Sequence, residues 1–455
     1  MLHVVHIGIL QSHSLQEIIS FGKYITLEYI LRRIDWNWSK VHAHPWLFFQ
    51  TLLNLQQSTN RGKMKRGRVL TPKQMERVRD HRYVVEGRTL LDPIMQVLWC
   101  RLFSMIPPRI NCNVITMVGL ALNMTSFTIL MCYSPTATDE VPLWACALAS
   151  VTMFLYQICD ALDGKQCLRG LANKKDWHIA EIVDHASDSV STVFVTIQLA
   201  ICMRIGERPE LFLTLMLTAM FMFFTAHWQT YISGVVRFGT LDVTESELAL
   251  CFGYLLTAII GQQFWAQKVY GVEWREAVVI SSAVMAVIKL VNHAIFIWRR
   301  GYRLTVAGTS VFSPFLSIAM VFVLAIITKE MTDLCDYQPC IFFIVFGLLE
   351  AKMSNKLMVA YMTKSKFTPM DSIFLGPLVL LANQLLNNPL SSHLLLWAVV
   401  VYTAADLFYY IRIVVLDICD LLHLTFFSAY VIKEPAHGDV INGSSGKRNV
   451  DANKN

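Results

Sequence analysis

Charged residues are scarce in this sequence. Asp, Glu, Lys and Arg together make up 16% of its 455 residues, whereas 55% of the residues are hydrophobic. So few charges exclude an ordinary soluble domain, in which about a quarter of the residues are charged. The uncharged stretches are long enough to cross the ~30 Å hydrocarbon core of a bilayer as helices. The composition therefore predicts a polytopic integral membrane protein.

Cysteine pairs and histidine clusters of the kind that hold zinc are also missing. The chain has 11 cysteines, an odd number, and contains no Cys-x-x-Cys sequence. These features argue against a structural zinc site and against a disulfide framework. Clear internal repeats and broken helices, which are typical of many transporters, are not evident either. A transporter whose buried acids relay ions is therefore an alternative rather than the first interpretation.

About ten apolar segments are predicted to form transmembrane helices, which gives an all-α fold. They centre on Asn113 to Tyr133, Leu143 to Cys159, Ser189 to Ile205, Leu211 to Tyr231, Leu248 to Trp265, Ala277 to Trp298, Thr309 to Thr328, Cys340 to Met362, Met370 to Leu386 and His393 to Ile418. This membrane domain spans residues 70–430. Residues 1–69 are expected to be a peripheral or amphipathic extension without a secretory signal, and the polar tail 431–455 is expected to be disordered.

Positive charge is concentrated in a few loops, and this predicts the orientation. Residues 61–88 contain ten Lys or Arg against three acids. Short loops rich in Lys and Arg tend to stay in the cytosol. If this arm is cytosolic, alternation of the spans places Asp160 and the basic loops at Arg299 to Arg303 and Lys364 to Lys366 on the cytosolic side.

Four aspartates lie at the junction between the second and third predicted spans. Asp160 and Asp163 are three residues apart and Asp184 and Asp188 are four apart, so each pair shares one face of a helix. One carboxylate at bilayer depth costs ~2.5–3.5 kcal/mol, so four together need a common counter-charge. A hard divalent cation with oxygen ligands supplies it. We therefore predict a metal site; the alternative is that these are carboxylates solvated at the membrane surface.

The same segment resembles the signature of the CDP-alcohol phosphotransferases: Asp-x2-Asp-Gly-x2-Ala-Arg, seven or eight residues, then Gly-x3-Asp-x3-Asp. The four aspartates and Gly164 match it position by position. Further segments narrow the resemblance to the eukaryotic choline/ethanolamine phosphotransferases, from about residue 70 to about residue 425. They are HRYVVEGRTLLDPIMQ from His81, CYSPTATDEVPLW from Cys132, AHWQTYISGVVRFGTLDVTE from Ala226, AGTSVFSPF from Ala307 and NKLMVAYMTKS from Asn355.

The connector between the two aspartate pairs departs from this signature. Cys167 and Leu168 stand where the family has Ala-Arg, eleven residues follow instead of seven or eight, and Ala180 replaces the Gly. In the family the arginine is thought to hold the nucleotide diphosphate. Arg169 is the nearest substitute, with Lys165, Lys174 and Lys175 as weaker candidates. The altered connector motivates a second alternative, a catalytically silent relative that binds lipid or CDP-alcohol.

The resemblance implies transfer of phosphocholine or phosphoethanolamine from a CDP-alcohol to diacylglycerol, with release of CMP. It implies two Mg²⁺ or Mn²⁺ ions held by Asp160, Asp163, Asp184 and Asp188. Gly164 would let the diphosphate approach the backbone. A homodimer in the endoplasmic reticulum membrane, or in the adjoining Golgi, follows from the same resemblance. The expected partners are the two substrates and membrane lipid, with no nucleic acid.

The diacylglycerol hydroxyl needs a base, and two residues are candidates. Asp188 is the traditional candidate of the family, but a bound dication would depress its basicity. His185 follows Asp184 directly, and Glu181 lies one helical turn before it on the same face. We favour His185 as the base with Glu181 orienting its ring, and keep Asp188 as the alternative.

Two further positions have open interpretations. Asn113 matches an asparagine of the family that precedes the first span, so it either binds the CDP part or caps the helix. His227 belongs to an aromatic and basic cluster at the end of the fourth span. That cluster is either an anchor at the membrane interface or part of the substrate pocket.

Overall fold

The computed structural model describes residues 68–169, 177–299, 305–423 and Phe426. The tail 431–455 lies outside these ranges, as do residues 170–176 of the connector and nearly all of the extension 1–69. Within the described residues the chain is helical apart from three short strand pairs and the connecting loops.

The α-helices differ greatly in length. They are α1 (Pro72–Arg79), α2 (Asp92–Met105), α3 (Cys112–Tyr133), α4 (Leu143–Arg169), α5 (Trp177–Cys202), α6 (Pro209–Ser233), α7 (Val243–Ile260), α8 (Trp274–Arg299), α9 (Ser313–Met331), α10 (Leu334–Tyr337), α11 (Pro339–Met362), α12 (Leu375–Leu385) and α13 (Ser392–Leu422). The 3₁₀ turns are Ile205–Glu207, Gln262–Ala266 and Ser372–Phe374. The strands are β1 (Val85–Glu86), β2 (Val236–Arg237), β3 (Lys268–Val269), β4 (Val272–Glu273), β5 (Thr305–Val306) and β6 (Thr309–Ser310).

Seven helices in the described part of the chain are long and apolar enough to cross a membrane: α3, α4, α6, α7, α8, α9 and α13. Helices α5 and α11 have 26 and 24 residues, but both carry charged side chains. The predicted all-α polytopic fold is confirmed.

The ninth predicted span, Met370 to Leu386, is wrong as a full crossing. Helix α12 has 11 residues, a rise of ~16 Å, which is about half of the hydrocarbon core. It starts from the 3₁₀ turn Ser372–Phe374. Asn387 and Asn388 follow it with φ of 61° and 56°, a left-handed turn that asparagine tolerates and that leads into α13. Apolar composition alone did not reveal this early turn.

Helix α11 forms the centre of the bundle and is buried along almost its whole length. It packs against α5, α6 and α13. The Asn355 side chain of α11 donates to the Ser189 hydroxyl of α5 at 2.8 Å. This contact fixes α5, which carries two of the four aspartates, against the core of the protein.

Buried charges tie α11 to the last two helices. Lys352 of α11 contacts Asp371, before α12, at 2.5 Å, and it also pairs with Asp406 of α13. Lys356 approaches Asp371 at 2.8 Å. Burial alone would raise the pKa of Asp371, but the hydrogen bonds from both lysines outweigh it and lower the pKa to about 2. The carboxylate is therefore ionised at neutral pH and holds this corner together.

A parallel strand pair closes one end of the bundle beside the aspartates. Val85 of β1 pairs with Val236 of β2, and Glu86 pairs with Arg237. Gly87 follows β1 with φ of 87°, and a Cβ on it would lie 2.3 Å from the Phe238 carbonyl oxygen. Only glycine fits this approach. The pair therefore brings the segment before α2 next to the end of α6.

Candidate metal centre and cavity

Three of the four predicted aspartates converge on one point. Asp160 lies on α4, and Asp184 and Asp188 lie one turn apart on α5. Each offers a carboxylate oxygen, and these oxygens all lie within 4.8 Å of one another. Oxygen donors at this separation suit Mg²⁺ or a similar hard cation.

Asp163 borders the same cavity but has a protein partner. It is 5% exposed, and its carboxylate accepts a hydrogen bond of 2.5 Å from the Thr116 hydroxyl of α3. The second carboxylate oxygen has no hydrogen bond to a described residue and is available as a ligand. Thr116 therefore orients Asp163 beside the other three carboxylates.

The surroundings of Asp184, Asp188 and Gly164 are also consistent with a bound cation. One oxygen of Asp184, Oδ1, is buried without a hydrogen-bond partner among the described residues, which is costly for a carboxylate unless a ligand satisfies it. The Tyr156 hydroxyl donates to Asp188 at 2.5 Å. Next to the cluster, a Cβ built on Gly164 has no protein atom within 4 Å. The space beside this glycine is open to a ligand.

The acidic cluster lies in a cavity of about 1450 Å³. Away from the aspartates, its walls are formed mainly by apolar side chains of α5, α6, α7 and α8, with the buried Glu247 of α7 among them. The cavity reaches Phe264, Trp265 and Trp274 at the opposite end of the bundle. It thus combines an anionic end with a long apolar interior.

His185 lines this cavity next to Asp184 and is held by another histidine. Its Nδ1 atom lies 3.1 Å from Nε2 of His227 on α6. Its Nε2 atom is buried and has no hydrogen-bond partner among the described residues. A candidate base and a candidate metal-binding cluster therefore share one wall of the cavity.

Glu181 contacts a different histidine from the one expected. Both of its carboxylate oxygens lie within 3.2 Å of Nε2 of His81, and both side chains are buried. The sequence-based expectation that Glu181 orients the His185 ring is corrected: Glu181 contacts His81, and the His185 ring contacts His227. Glu181 faces the segment before β1, because α5 presents residues 181 and 185 one turn apart to two different neighbours.

Comparison with characterised proteins gives extensive matches. The chain is 39% identical to cholinephosphotransferase 1 of Danio rerio over 366 residues, which cover 79% of this chain and 95% of the relative. It is 36% identical to cholinephosphotransferase 1 of Homo sapiens over 395 residues, or 84% of this chain and 95% of the relative. The chain belongs to the cholinephosphotransferase family.

A more distant match is the uncharacterized CDP-alcohol phosphatidyltransferase class-I family protein 2 of Dictyostelium discoideum. It is 23% identical over 321 residues, which cover 70% of this chain and 76% of the relative. No family model matches the chain. The resemblance to CDP-alcohol phosphotransferases seen in the aspartate signature is confirmed by the cholinephosphotransferase relatives.

The structure places Arg169 outside the cavity of this cholinephosphotransferase homologue. Its guanidinium donates to the carbonyls of Ile106 at 2.7 Å and Phe103 at 3.3 Å. It also lies 4.0 Å from the centre of the Phe103 ring. Leu168, which takes the place of the signature arginine, borders the cavity instead. A contact between Arg169 and a diphosphate stays a prediction, and it requires the side chain to leave the end of α2.

Three basic side chains do border the cavity. They are Arg82, Arg237 and Lys289. Lys289 pairs with Asp242, and the Arg237 guanidinium lies 4.1 Å from the centre of the Phe296 ring. Strands β1 and β2 hold the segments of Arg82 and Arg237 side by side.

Asn113 also lies away from the cavity walls. Its amide donates to the Phe426 carbonyl at 3.0 Å. The helix cap is Asn111, whose side chain accepts from the Asn113 backbone N–H at 2.8 Å. The capping alternative for Asn113 is therefore wrong by two residues, and its role in binding CDP stays a prediction.

Sequence reasoning assigned no role to His81 or to Thr116. The partner of each is distant in the chain, Glu181 for His81 and Asp163 for Thr116. Thr116 lies one turn into an apolar span, and a buried hydroxyl there was the only available signal. Its significance appears only once α3 is packed against α4.

Proposed function

We propose that this protein transfers phosphocholine from CDP-choline to diacylglycerol, forming phosphatidylcholine and releasing CMP. The observation that carries the proposal is the cavity, whose anionic end contains the aspartate signature and whose apolar interior suits the acyl part of a lipid. The names of relatives 36–39% identical over most of the chain support the choline headgroup. CDP-ethanolamine is the second donor to be tested.

Asp160, Asp163, Asp184 and Asp188 are proposed to hold two Mg²⁺ or Mn²⁺ ions. When bound, such ions neutralise charge on the donor diphosphate and on the departing CMP. The convergence of three half-buried carboxylates and the partnerless oxygen of Asp184 support this assignment. The hydroxyls of Thr116 and Tyr156 hold the carboxylates of Asp163 and Asp188, respectively, in place without a bound ion.

His185 is proposed to accept the proton of the diacylglycerol hydroxyl. The hydroxyl oxygen forms a bond to the phosphorus of phosphocholine, the bond from that phosphorus to the CMP oxygen breaks, and the proton passes to Nε2 of His185. Asp188 accepts a hydrogen bond from Tyr156 and belongs to the acidic cluster. That engagement favours His185 over Asp188 as the base.

The donor diphosphate needs cationic partners besides the metal ions. Arg82 and Arg237 border the cavity and have no ion pair with a described carboxylate. Guanidinium groups bind phosphate oxygens in pairs. We assign the diphosphate to these two residues, together with the open space at Gly164, rather than to Arg169 in its present position.

The protein is proposed to act in the endoplasmic reticulum membrane or the adjoining Golgi, as a homodimer with its acidic end facing the cytosol. The basic residues in the sequence ranges 61–88, 299–303 and 364–366 support this orientation. A cytosolic acidic end gives CDP-choline access from water, while diacylglycerol enters from the bilayer.

The test is transfer by the purified protein in lipid nanodiscs that contain diacylglycerol. Labelled CDP-choline and CDP-ethanolamine are supplied separately, with Mg²⁺, and labelled lipid is extracted. We expect labelled phosphatidylcholine from the wild type and none from Asp184→Asn. A wild type that binds CDP-choline but forms no lipid would instead identify a silent relative, which the altered connector at Leu168 makes a specific second candidate.

A further inference from the structure

Two histidines from different helices meet at the wall of the cavity. His185 belongs to α5 and His227 to α6, and their rings meet edge to face with centroids 5.0 Å apart. His227 is 8% exposed. Its Nδ1 atom lies 3.0 Å from the backbone carbonyl of Phe223, one turn earlier in the same helix.

These contacts assign the protons of two neutral rings. A neutral imidazole has one N–H and one lone pair. The Phe223 carbonyl only accepts, so Nδ1 of His227 carries the proton and its Nε2 is the acceptor. Nδ1 of His185 must then donate to His227 across the 3.1 Å contact. The lone pair of His185 is consequently on Nε2.

The opposite assignment is electrostatically unfavourable. A proton on Nε2 of His227 would leave the Nδ1 lone pair facing the Phe223 carbonyl oxygen at 3.0 Å. Two acceptors at that distance repel each other. The backbone of α6 therefore selects one tautomer of His227, and His227 in turn selects one tautomer of His185.

We propose that His227 is a positioning residue, which holds the His185 ring at the cavity wall with the lone pair on Nε2, the nitrogen that has no partner among the described residues. This inference rests on the proposed function, in which Nε2 of His185 accepts the hydroxyl proton. His227 itself takes no part in the bond changes. It supplies a hydrogen-bond acceptor, its Nε2 atom, to the Nδ1–H group of His185. Only a residue that places an acceptor at the same position can replace it.

The test compares His227→Leu with His227→Gln. Leucine fills similar space but offers no acceptor, whereas the glutamine amide oxygen reaches the place of Nε2. We expect His227→Leu to lower kcat by ~10- to 100-fold, in the range found when an orienting partner is lost, with KM for CDP-choline changed less than about threefold. His227→Gln should restore kcat to within about fivefold of the wild type, because it again accepts from His185.

Thr225→Val is the matched control, since Thr225 lies two residues earlier on α6, does not border the cavity, and has a hydroxyl that bonds only within its helix. It should leave kcat unchanged. Equal kcat for the leucine and glutamine variants would overturn the proposal.

A tautomer measurement keeps the inference separate from the proposed function. Nitrogen-15 NMR of labelled histidines distinguishes a ring with its proton on Nδ1 from one with its proton on Nε2, and His185→Ala identifies the signal. We expect the Nδ1–H form of His185 in the wild type and in His227→Gln, and its loss in His227→Leu. If the wild type is inactive, the proposed function fails, but this spectrum still decides the role of His227. An Nε2–H form in the wild type would refute it.

Discussion

Replacing Arg169 tests whether the altered connector serves structure or substrate. Its guanidinium donates to two carbonyls at the end of α2, at 2.7 and 3.3 Å, and lies 4.0 Å from the centre of the Phe103 ring. A charged hydrogen bond contributes about 1.5–3 kcal/mol, and a cation on an aromatic ring about 0.5–1 kcal/mol at an exposed site. Since Arg169 is only half-buried and one bond is long, solvent screening reduces the total to about 2 kcal/mol.

We therefore expect Arg169→Gln to lower the melting temperature in detergent by a few degrees, following the usual scaling of stability with size. KM for CDP-choline should stay within about twofold of the wild type, because the side chain does not border the cavity. Arg101→Gln is the matched control. It removes one positive charge from an exposed position of α2 that makes no side-chain hydrogen bond or ion pair with a described residue.

The opposite pattern would refute this reasoning. If Arg169→Gln raises KM for CDP-choline about tenfold or more and leaves the melting temperature unchanged, the guanidinium binds the diphosphate after all. Arg169→Lys sharpens the distinction, because a lysine can donate to carbonyls but cannot present a planar fork to phosphate. Near-normal KM in this variant would support the structural role.

Three other outcomes follow from the site and the fold. Asp184→Ala should reduce turnover at least about a hundredfold without removing the protein from the membrane; full wild-type activity in EDTA would contradict the metal assignment. His185→Ala should abolish transfer while CDP-choline still binds, and Glu181→Gln should cost less; an equal loss of kcat in both would show that Glu181 takes part directly. Lys352→Met should destabilise the protein by up to about 3 kcal/mol, since it leaves Asp406 without its lysine and Asp371 with Lys356 alone, whereas the exposed Lys366→Met should not; equal melting temperatures would contradict a role for these ion pairs.

The sequence was sufficient to predict most of the fold, because apolar length determines which segments can cross a bilayer. It failed at α12, where a turn at Asn387 ends the helix after 11 residues. The grouping of aspartates was predictable for a similar reason. Spacings of three and four residues place carboxylates on one helix face whatever the surrounding packing is.

The partners of the site residues were not predictable in the same way. His81 and Glu181 are 100 residues apart, and His185 and His227 are 42 apart. Each pair depends on which helices pack together, and one sequence does not encode that in local spacing. The predicted position of the Arg169 side chain in the substrate site was wrong for the same reason. Its guanidinium binds carbonyls at the end of α2 and does not border the cavity.

The most direct test of the central proposal is the stoichiometry of products from the purified wild type. CMP release and labelled phosphatidylcholine are measured together, with CDP-choline and diacylglycerol supplied, before and after chelation and again after Mg²⁺ is restored. We predict one CMP for each phosphatidylcholine, loss of both products on chelation, and recovery of both with Mg²⁺. CMP release without lipid product, or equal formation of both products in the absence of divalent ions, would contradict it.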